Sequence, residues 1–85
     1  MENADQEKWS TMRIMVVDHC TDGIIRCYGY GMYGGMLCRL NSIGDPVERL
    51  CIMPKGMSDL AVAECAIKHH AAYAKCSGSI DWHFC

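Results

Sequence analysis

Cysteine and histidine are the side chains of this sequence that could hold a metal ion. Cys65 and His69 lie four positions apart in a segment with helical periodicity, so they share one helix face. With two further ligands they would complete a tetrahedral zinc site. The candidates for those ligands are His19, Cys20, Cys76, His83 and Cys85. Core thiols and a hydrogen-bonded histidine explain the same residues, and no C-x-x-C pair is present. We therefore predict no bound metal, and a small zinc-stabilised binding module stays an alternative.

A cysteine nucleophile with a histidine base is a second kind of chemistry open to these residues. Cys20 could meet His69 or His70 in the fold. It cannot use His19 on the same strand, because neighbouring residues on a strand point to opposite faces. No spacing in the sequence identifies a reaction. We predict a protein with no catalytic residues and no cofactor, and a thiol-dependent enzyme stays a further alternative.

Residues 28–36, YGYGMYGGM, are unusually rich in tyrosine and glycine. On a strand, Tyr28 and Tyr30 point to one face and the glycine between them to the other. The glycines do not form a phosphate-binding loop, because no helix and no Lys-Ser/Thr pair follow them. Tyrosine gives a large contact area at low entropic cost in protein interfaces. We predict that Tyr28, Tyr30, Met32 and Tyr33 contact a protein partner. The alternative is that Tyr28 and Tyr30 cover the protein's own core and that the glycines only shape a hairpin.

Residues 58–76 are predicted to form one long helix with very little polar surface. At about 100° per residue, Glu64, Lys68 and Lys75 fall in one narrow stripe. A surface helix normally has a polar face about as wide as its apolar face, so this helix should be covered on more than one side. We predict that a larger partner, or a second copy in a homodimer, contacts the side that the sheet leaves free. The residues assigned to that contact are Cys65, His69 and Tyr73. The alternative is that the C-terminal residues fold over it.

Turn residues divide the preceding sequence into four apolar segments typical of antiparallel strands. These segments are residues 13–19, 24–32, 36–40 and 47–53. Residues 80–85 alternate and predict a short final edge strand, whereas residues 1–10 predict a polar N-terminal arm in which Trp9 contacts the body. We predict a single domain, 1–85, of the α+β class: a four-stranded antiparallel meander with one long C-terminal helix packed on one face.

Charge and hydropathy argue against nucleic acid as a direct ligand and against a membrane partner. The net charge is −2 and the basic residues are scattered, whereas nucleic-acid binding without sequence preference needs a dense cationic patch. Such a patch would have to be assembled in three dimensions from Arg13, Arg26, Arg39 and Arg49. The sequence begins with no secretory signal, and no apolar run approaches the roughly 20 residues that span a bilayer. We predict a cytoplasmic protein whose seven cysteines are mostly reduced core thiols and which has no membrane partner.

The C-terminal part of the sequence has an alanine-rich helix, SDLAVAECAIKHHAAYAKC, followed by a brief aromatic strand, SIDWHFC. This build resembles that of small phage-encoded inhibitors of bacterial immunity, such as anti-CRISPR proteins. The resemblance implies a non-enzymatic inhibitor encoded by a phage or mobile element and acting in the cytoplasm of a host cell. It also implies steric occlusion of a larger host defence protein, such as a CRISPR effector.

Overall fold

The computed structural model describes residues 8–74 and 78–85. These residues form a five-stranded antiparallel sheet and one helix. The strands are β1 (Arg13–His19), β2 (Ile25–Tyr33), β3 (Met36–Leu40), β4 (Pro46–Ile52) and β5 (Ser79–Phe84), and the helix is α1 (Asp59–Ala74). The strand order is β4-β3-β2-β1-β5. The predicted α+β class, with a meander, a helix and a final edge strand, is confirmed.

The element boundaries are close to those that the sequence predicts. β2 is displaced by one residue toward the C-terminus and β4 by one residue toward the N-terminus, while β5 begins at Ser79. The last part of the predicted helix, including Lys75 and Cys76, lies outside the described residues, as do the first seven residues of the predicted arm.

Two glycines set the register of the β2–β3 hairpin. Gly34 and Gly35 have φ angles of 58° and 81°, a conformation that two-residue hairpin turns require and that L side chains rarely adopt. The turn places Tyr33 opposite Met36 and, further along, Tyr30 opposite Arg39. Because directly paired residues share a face, Arg39 and Tyr30 lie side by side.

The two faces of the sheet have different neighbours. Ile14 pairs with Tyr30, and Val16 pairs with Tyr28; these side chains point toward α1 on the covered face. Gly29 and Gly31 alternate with the tyrosines and lie on the open face, which has no helix among the described residues. The predicted alternation is confirmed. The buried core of the covered face consists of Met12, Ile14, Val16, Tyr30, Met32, Leu37, Met53, Val62, Ala63 and Ala66.

Helix α1 begins at an N-cap, as the sequence predicts. The Ser58 hydroxyl accepts a hydrogen bond from the Ala61 N–H at 3.1 Å, which satisfies a donor that the first turn leaves unpaired. One side of the helix packs on the sheet through Val62, Ala63, Ala66 and His70.

Several residues on the other side of α1 are exposed to solvent. They are Leu60, Glu64, Lys68, Ala71, Ala72 and Tyr73. The C-terminal residues do not cover this side, because β5 pairs with β1 instead. Among the described residues the sheet therefore covers one side of α1, and apolar surface stays open on the rest.

Trp9 contacts the body of the protein, as predicted. Its indole N–H donates to the carbonyl oxygen of Met53 at 2.8 Å, and the Lys55 ammonium lies 4.6 Å from the ring centre. The ring also packs against Gly35, where an added Cβ would lie 2.8 Å from it. A side chain at this turn would therefore displace Trp9.

Gly78 has a different role from the predicted one. The sequence predicts a left-handed helix cap, but Gly78 is not among the residues with positive φ. A Cβ at this position would overlap the carbonyl oxygen of His19. Glycine is needed here because the chain passes close to the end of β1 as it enters β5.

Candidate partner-binding site

A small hollow lies between helix α1 and strands β3 and β4. Its volume is about 220 Å³. The lining residues, which define what we call the Tyr73 hollow, are Tyr30, Arg39, Glu48, Leu50, His69, Ala72 and Tyr73. Three of the predicted partner-binding residues, Tyr30, His69 and Tyr73, meet here although they come from different elements.

An arginine at the rim of the hollow is held from two directions. Arg39 donates from Nε and Nη2 to Oε1 of Glu48, at 3.0 Å and 2.8 Å. Its guanidinium also lies over the ring of Tyr73, 4.5 Å from the ring centre, a favourable cation–π geometry. The hydrogen bond to Glu48 is the main cause that raises the pKa of Arg39. Arg39 and Tyr73, which is 51% exposed, are thus held in place at the surface.

Beneath the hollow, three buried polar side chains form a linear chain of two hydrogen bonds. The Tyr30 hydroxyl lies 2.8 Å from Nδ1 of His70, and Nε2 of the same ring lies 2.7 Å from Oδ1 of Asp18. All three residues are at most 1% exposed. Buried polar groups are costly unless they are hydrogen-bonded, and here each one finds its partner in another element.

The protons of this chain can be assigned from its geometry. Burial is the largest cause that raises the pKa of Tyr30 well above its usual range, so the phenol keeps its proton. Tyr30 Oη has no other hydrogen-bond partner among the described residues, so the hydroxyl donates to Nδ1 of His70. The proton of the ring then lies on Nε2 and is donated to Asp18. This arrangement fastens α1 to β1 and β2.

Aromatic contacts continue from His70 to the surface. The Tyr28 ring meets His70 edge-on with ring centres 4.8 Å apart, and it meets Tyr73 edge-on at 5.9 Å. Burial, followed by the charge of Asp18, raises the pKa of Tyr28. Tyr28 therefore links the buried chain to the rim of the Tyr73 hollow, as support for Tyr73.

Two of the predicted contact residues are not available at the surface. Tyr30 is 1% exposed and Met32 is 9% exposed, because both side chains point into the core beneath α1. In the folded chain neither side chain can touch a partner directly, so the prediction is wrong for both. Tyr30 covers the protein's own core, as the alternative for the tyrosines states. Tyr30 contributes to the hollow only as its floor.

Tyr33 lies away from the other tyrosines. Its hydroxyl donates to the carbonyl oxygen of Gly44 at 2.8 Å, and the guanidinium of Arg13 both bonds to it and stacks over its ring. These contacts are on the open face of the sheet. Tyr33 and Tyr73 therefore belong to different surfaces.

The zinc ligands considered as an alternative are not brought together within the described part of the chain. Among residues 8–74 and 78–85, no three His, Cys, Asp or Glu side chains are placed to hold a metal ion. Cys65 is half-buried beside β4, where its thiol adds to the effect of burial in raising the pKa of Cys51. His69, one turn later, lines the hollow instead. Cys76, another proposed ligand, lies outside the described residues.

The thiol–histidine pair considered as a further alternative is not formed with His70. Both ring nitrogens of His70 are bonded, to Tyr30 and Asp18, so His70 cannot take a proton from Cys20. The Cys20 thiol instead accepts a hydrogen bond from Arg26 at 3.2 Å. The patch of four arginines is not assembled either, because Arg13 lies on the open face and Arg39 on the covered face.

Asp18 and Glu48, which are central to this region, were not predicted as site residues. His70 was considered only as a base for Cys20, and Arg39 only as part of an arginine patch. Asp18 is the residue of this group that the sequence pattern could most readily have identified as buried. It follows Ile14 and Val16 at alternate positions of β1, so a charged group occupies an inward-facing place. Such a residue must find a buried partner. The partner itself could not be read, because His70 lies 52 positions away.

A second, larger hollow of about 370 Å³ lies on the open face, and its lining includes Arg13, Met15, Cys27, Gly29, Leu40 and Cys85. The Arg13 side chain is engaged with Tyr33.

Among the described residues, no helix is long and apolar enough to cross a membrane. Comparison of the chain with protein-family models, with curated proteins and with solved structures found no match.

Proposed function

We propose that this protein is a non-enzymatic binding protein that inhibits a larger protein by covering part of its surface, with the Tyr73 hollow at the centre of the contact. The observation that carries the proposal is that Arg39 is held between Glu48 and the exposed ring of Tyr73. Tyrosine and arginine dominate the binding energy of protein interfaces. Side chains that are already fixed lose little conformational entropy when a partner binds.

The size of the hollow favours a protein partner over a small-molecule ligand. Its volume of about 220 Å³ is below the roughly 300–1,000 Å³ typical of small-molecule and cofactor sites. A hollow of this size can accept one protruding side chain of a partner. Such an anchor in a rigid pocket, surrounded by weaker contacts, is the usual arrangement of an interface hot spot.

The class of partner rests on the build of the chain. Its resemblance to small phage-encoded inhibitors of bacterial immunity supports a host defence protein, such as a CRISPR effector, as the target. The protein would then act in the cytoplasm of the host cell, supplied by a phage or mobile element. Occlusion requires no reactive group. This agrees with the buried Asp18, His70 and Tyr30 side chains, in which the Tyr30 hydroxyl, both ring nitrogens of His70 and Oδ1 of Asp18 are engaged in hydrogen bonds.

A binding assay on a panel of purified CRISPR effectors, coupled to a phage-interference assay in cells, tests this proposal. We expect one effector to bind and to lose interference, and Tyr73→Ala to weaken that binding about tenfold or more. Ile43→Ser is the matched control, because Ile43 is 79% exposed in the β3–β4 turn and does not line the hollow.

Two results would overturn the proposal. One is that no effector binds and no interference is lost. The other is that Tyr73→Ala binds as tightly as the unmodified protein while keeping its fold.

A further inference from the structure

Strand β5 ends the sheet on one side, and among the described residues nothing pairs with its outer edge. We propose that this edge binds β5 of a second copy of the chain, antiparallel and around a two-fold axis at Trp82. The two sheets then join into one continuous sheet. This interface is separate from the Tyr73 hollow, which lies near β4 at the other side of the sheet.

The hydrogen bonds of β1 show which groups of β5 face outward. The Cys85 N–H donates to the carbonyl oxygen of Arg13 at 3.0 Å, and the residues of an antiparallel pair alternate between bonding inward and outward. On the other side of β1, the Met32 N–H donates to the oxygen of Met12 at 3.1 Å, which agrees with the same alternation. Ile80, Trp82 and Phe84 therefore direct their N–H and C=O groups away from β1.

Only one symmetric register uses all of these outward groups. An axis at Trp82 pairs this residue with itself and pairs Ile80 with Phe84 of the other copy, on both sides of the axis. Each pair exchanges two hydrogen bonds. An axis at Asp81 or His83 would leave one outward residue of each copy without a partner. The backbone thus favours the axis at Trp82.

The charges of β5 favour the same register. With the axis at Trp82, Asp81 of each copy lies opposite His83 of the other, and both side chains are on the open face and exposed. An axis at Asp81 would instead place two carboxylates opposite each other, which is unfavourable. Asp81 also meets His19 of its own chain, with Oδ2 and Nε2 3.0 Å apart, so this pair already positions the carboxylate.

Apolar side chains on the covered face of β5 add to the contact. Ile80 and Trp82 are half-buried, whereas Phe84 is 47% exposed. Trp82 and Phe84 meet edge-on with ring centres 5.3 Å apart. In the proposed register the exposed part of Phe84 lies against Ile80 of the other copy, so pairing removes apolar surface from water.

The opposite edge of the sheet, strand β4, is poorly suited to pairing with another strand. β4 begins with Pro46, and its pairing with β3 is irregular between Leu37 and Cys38 and again between Arg39 and Leu40. Proline and irregular pairing are devices that block edge-to-edge association. β5 has neither among its residues, and its pairing with β1 is continuous. The second copy is therefore placed at β5, and α1 stays free for a larger partner.

Sedimentation of the full chain over a range of concentrations tests the proposal. We expect a reversible monomer–dimer equilibrium. His83→Asp should weaken it about tenfold, because each Asp81 then faces another carboxylate. The exchanged variant Asp81→His with His83→Asp again places a carboxylate opposite an imidazole. It should restore the dimer in part, because it also removes the pair of Asp81 with His19. Ile52→Asp, at a residue 78% exposed on β4, is the matched control and should not change it.

Amide hydrogen exchange gives a second measurement that does not depend on variants. The amides of Ile80, Trp82 and Phe84 should exchange more slowly at high protein concentration than at low concentration. The proposal is overturned if the chain stays monomeric at all concentrations, if these amides exchange at a rate independent of concentration, or if His83→Asp dimerises normally. It is equally overturned if Ile52→Asp dissociates the dimer, or if the exchanged variant dimerises no better than His83→Asp while remaining folded.

Discussion

Nε2 of His70 lies 2.7 Å from Oδ1 of Asp18, and both side chains are closed to solvent. The two residues are 52 positions apart, so their bond joins the C-terminal half of α1 to β1. A carboxylate in this position is costly unless a donor meets it. His70 therefore offsets the free-energy cost of burying the Asp18 carboxylate, and it also fixes the position of α1 on the sheet.

Removing His70 should cost more stability than removing the Tyr30 hydroxyl. We expect His70→Ala to lower the free energy of unfolding by about 3–5 kcal/mol, because Asp18 is left buried without its donor. Tyr30→Phe leaves one ring nitrogen unpaired and should cost about 1–3 kcal/mol. Urea unfolding followed by circular dichroism measures both.

A double-mutant cycle is the control for that comparison. If Asp18 and His70 are coupled, His70→Ala together with Asp18→Ala should cost less than the two single changes added. Additive losses, or a Tyr30→Phe variant as unstable as His70→Ala, would contradict the assigned roles.

The ring proton of His70 should be found on Nε2. Because the Tyr30 hydroxyl donates to Nδ1, that nitrogen carries no proton, and Nε2 donates to Asp18. Nitrogen-15 NMR distinguishes the two ring positions directly. His83, which is exposed on β5, provides a reference spectrum within the same molecule. A protonated Nδ1 at neutral pH would reverse the direction of the Tyr30 hydrogen bond.

Stability should decline in alkali partly because of Tyr30. Its pKa in the folded chain is raised by burial, whereas the unfolded chain releases this proton near pH 10. The contribution is complete below about pH 10 and is lost as the pH rises toward the folded-state pKa. The slope from one such group is at most about 1.4 kcal/mol per pH unit.

Urea midpoints measured between about pH 9 and 11 test this dependence. Tyr30→Phe should make the decline shallower, although Tyr28, whose pKa is also raised by burial, still contributes to it. Ile14→Val, which removes one buried methyl group and no titrating group, is the matched control and should keep the slope of the unmodified protein. An unchanged slope in Tyr30→Phe would show that this phenol is not the titrating group.

Local patterns were sufficient to predict most of the fold. The alternation of tyrosine and glycine in β2, the paired glycines at 34 and 35, and the Ser58 cap all follow from short-range physics, and all are confirmed. The role of Gly78 was beyond such reasoning, because it depends on the carbonyl of His19 in a distant strand.

The candidate site was predicted only in part, for the same reason. Helix periodicity assigned His69 and Tyr73 to the helix face that contacts a partner, and both residues line the hollow. Tyr30 was predicted to be exposed to a partner but is buried, because strand alternation alone does not determine which face of the sheet α1 covers. The pairing of Arg39 with Glu48 requires the irregular β3–β4 register, which no local pattern specifies.

Alanine at position 78 should destabilise the junction that leads into β5. A Cβ there would overlap the His19 carbonyl, so the backbone of one segment has to shift, and overpacking of this kind typically costs about 1–3 kcal/mol. Gly29→Ala is the matched control, because its Cβ would meet Leu40 at an ordinary 3.4 Å. Thermal unfolding should show a lower midpoint for Gly78→Ala alone; equal midpoints would mean that the close approach carries no energetic weight.

Replacing Arg39 by lysine should weaken partner binding while leaving the fold nearly as stable. Lysine keeps the charge but loses the planar group that bonds Glu48 and stacks on Tyr73, so Tyr73 is no longer held for the partner. The loss of affinity should approach that of Tyr73→Ala, about tenfold. The cost in stability should be below about 1 kcal/mol, since the ion pair is partly exposed. Arg49→Lys is the control on the neighbouring strand. If Arg39→Lys binds normally while Tyr73→Ala does not, Tyr73 contacts the partner without needing the arginine to position it.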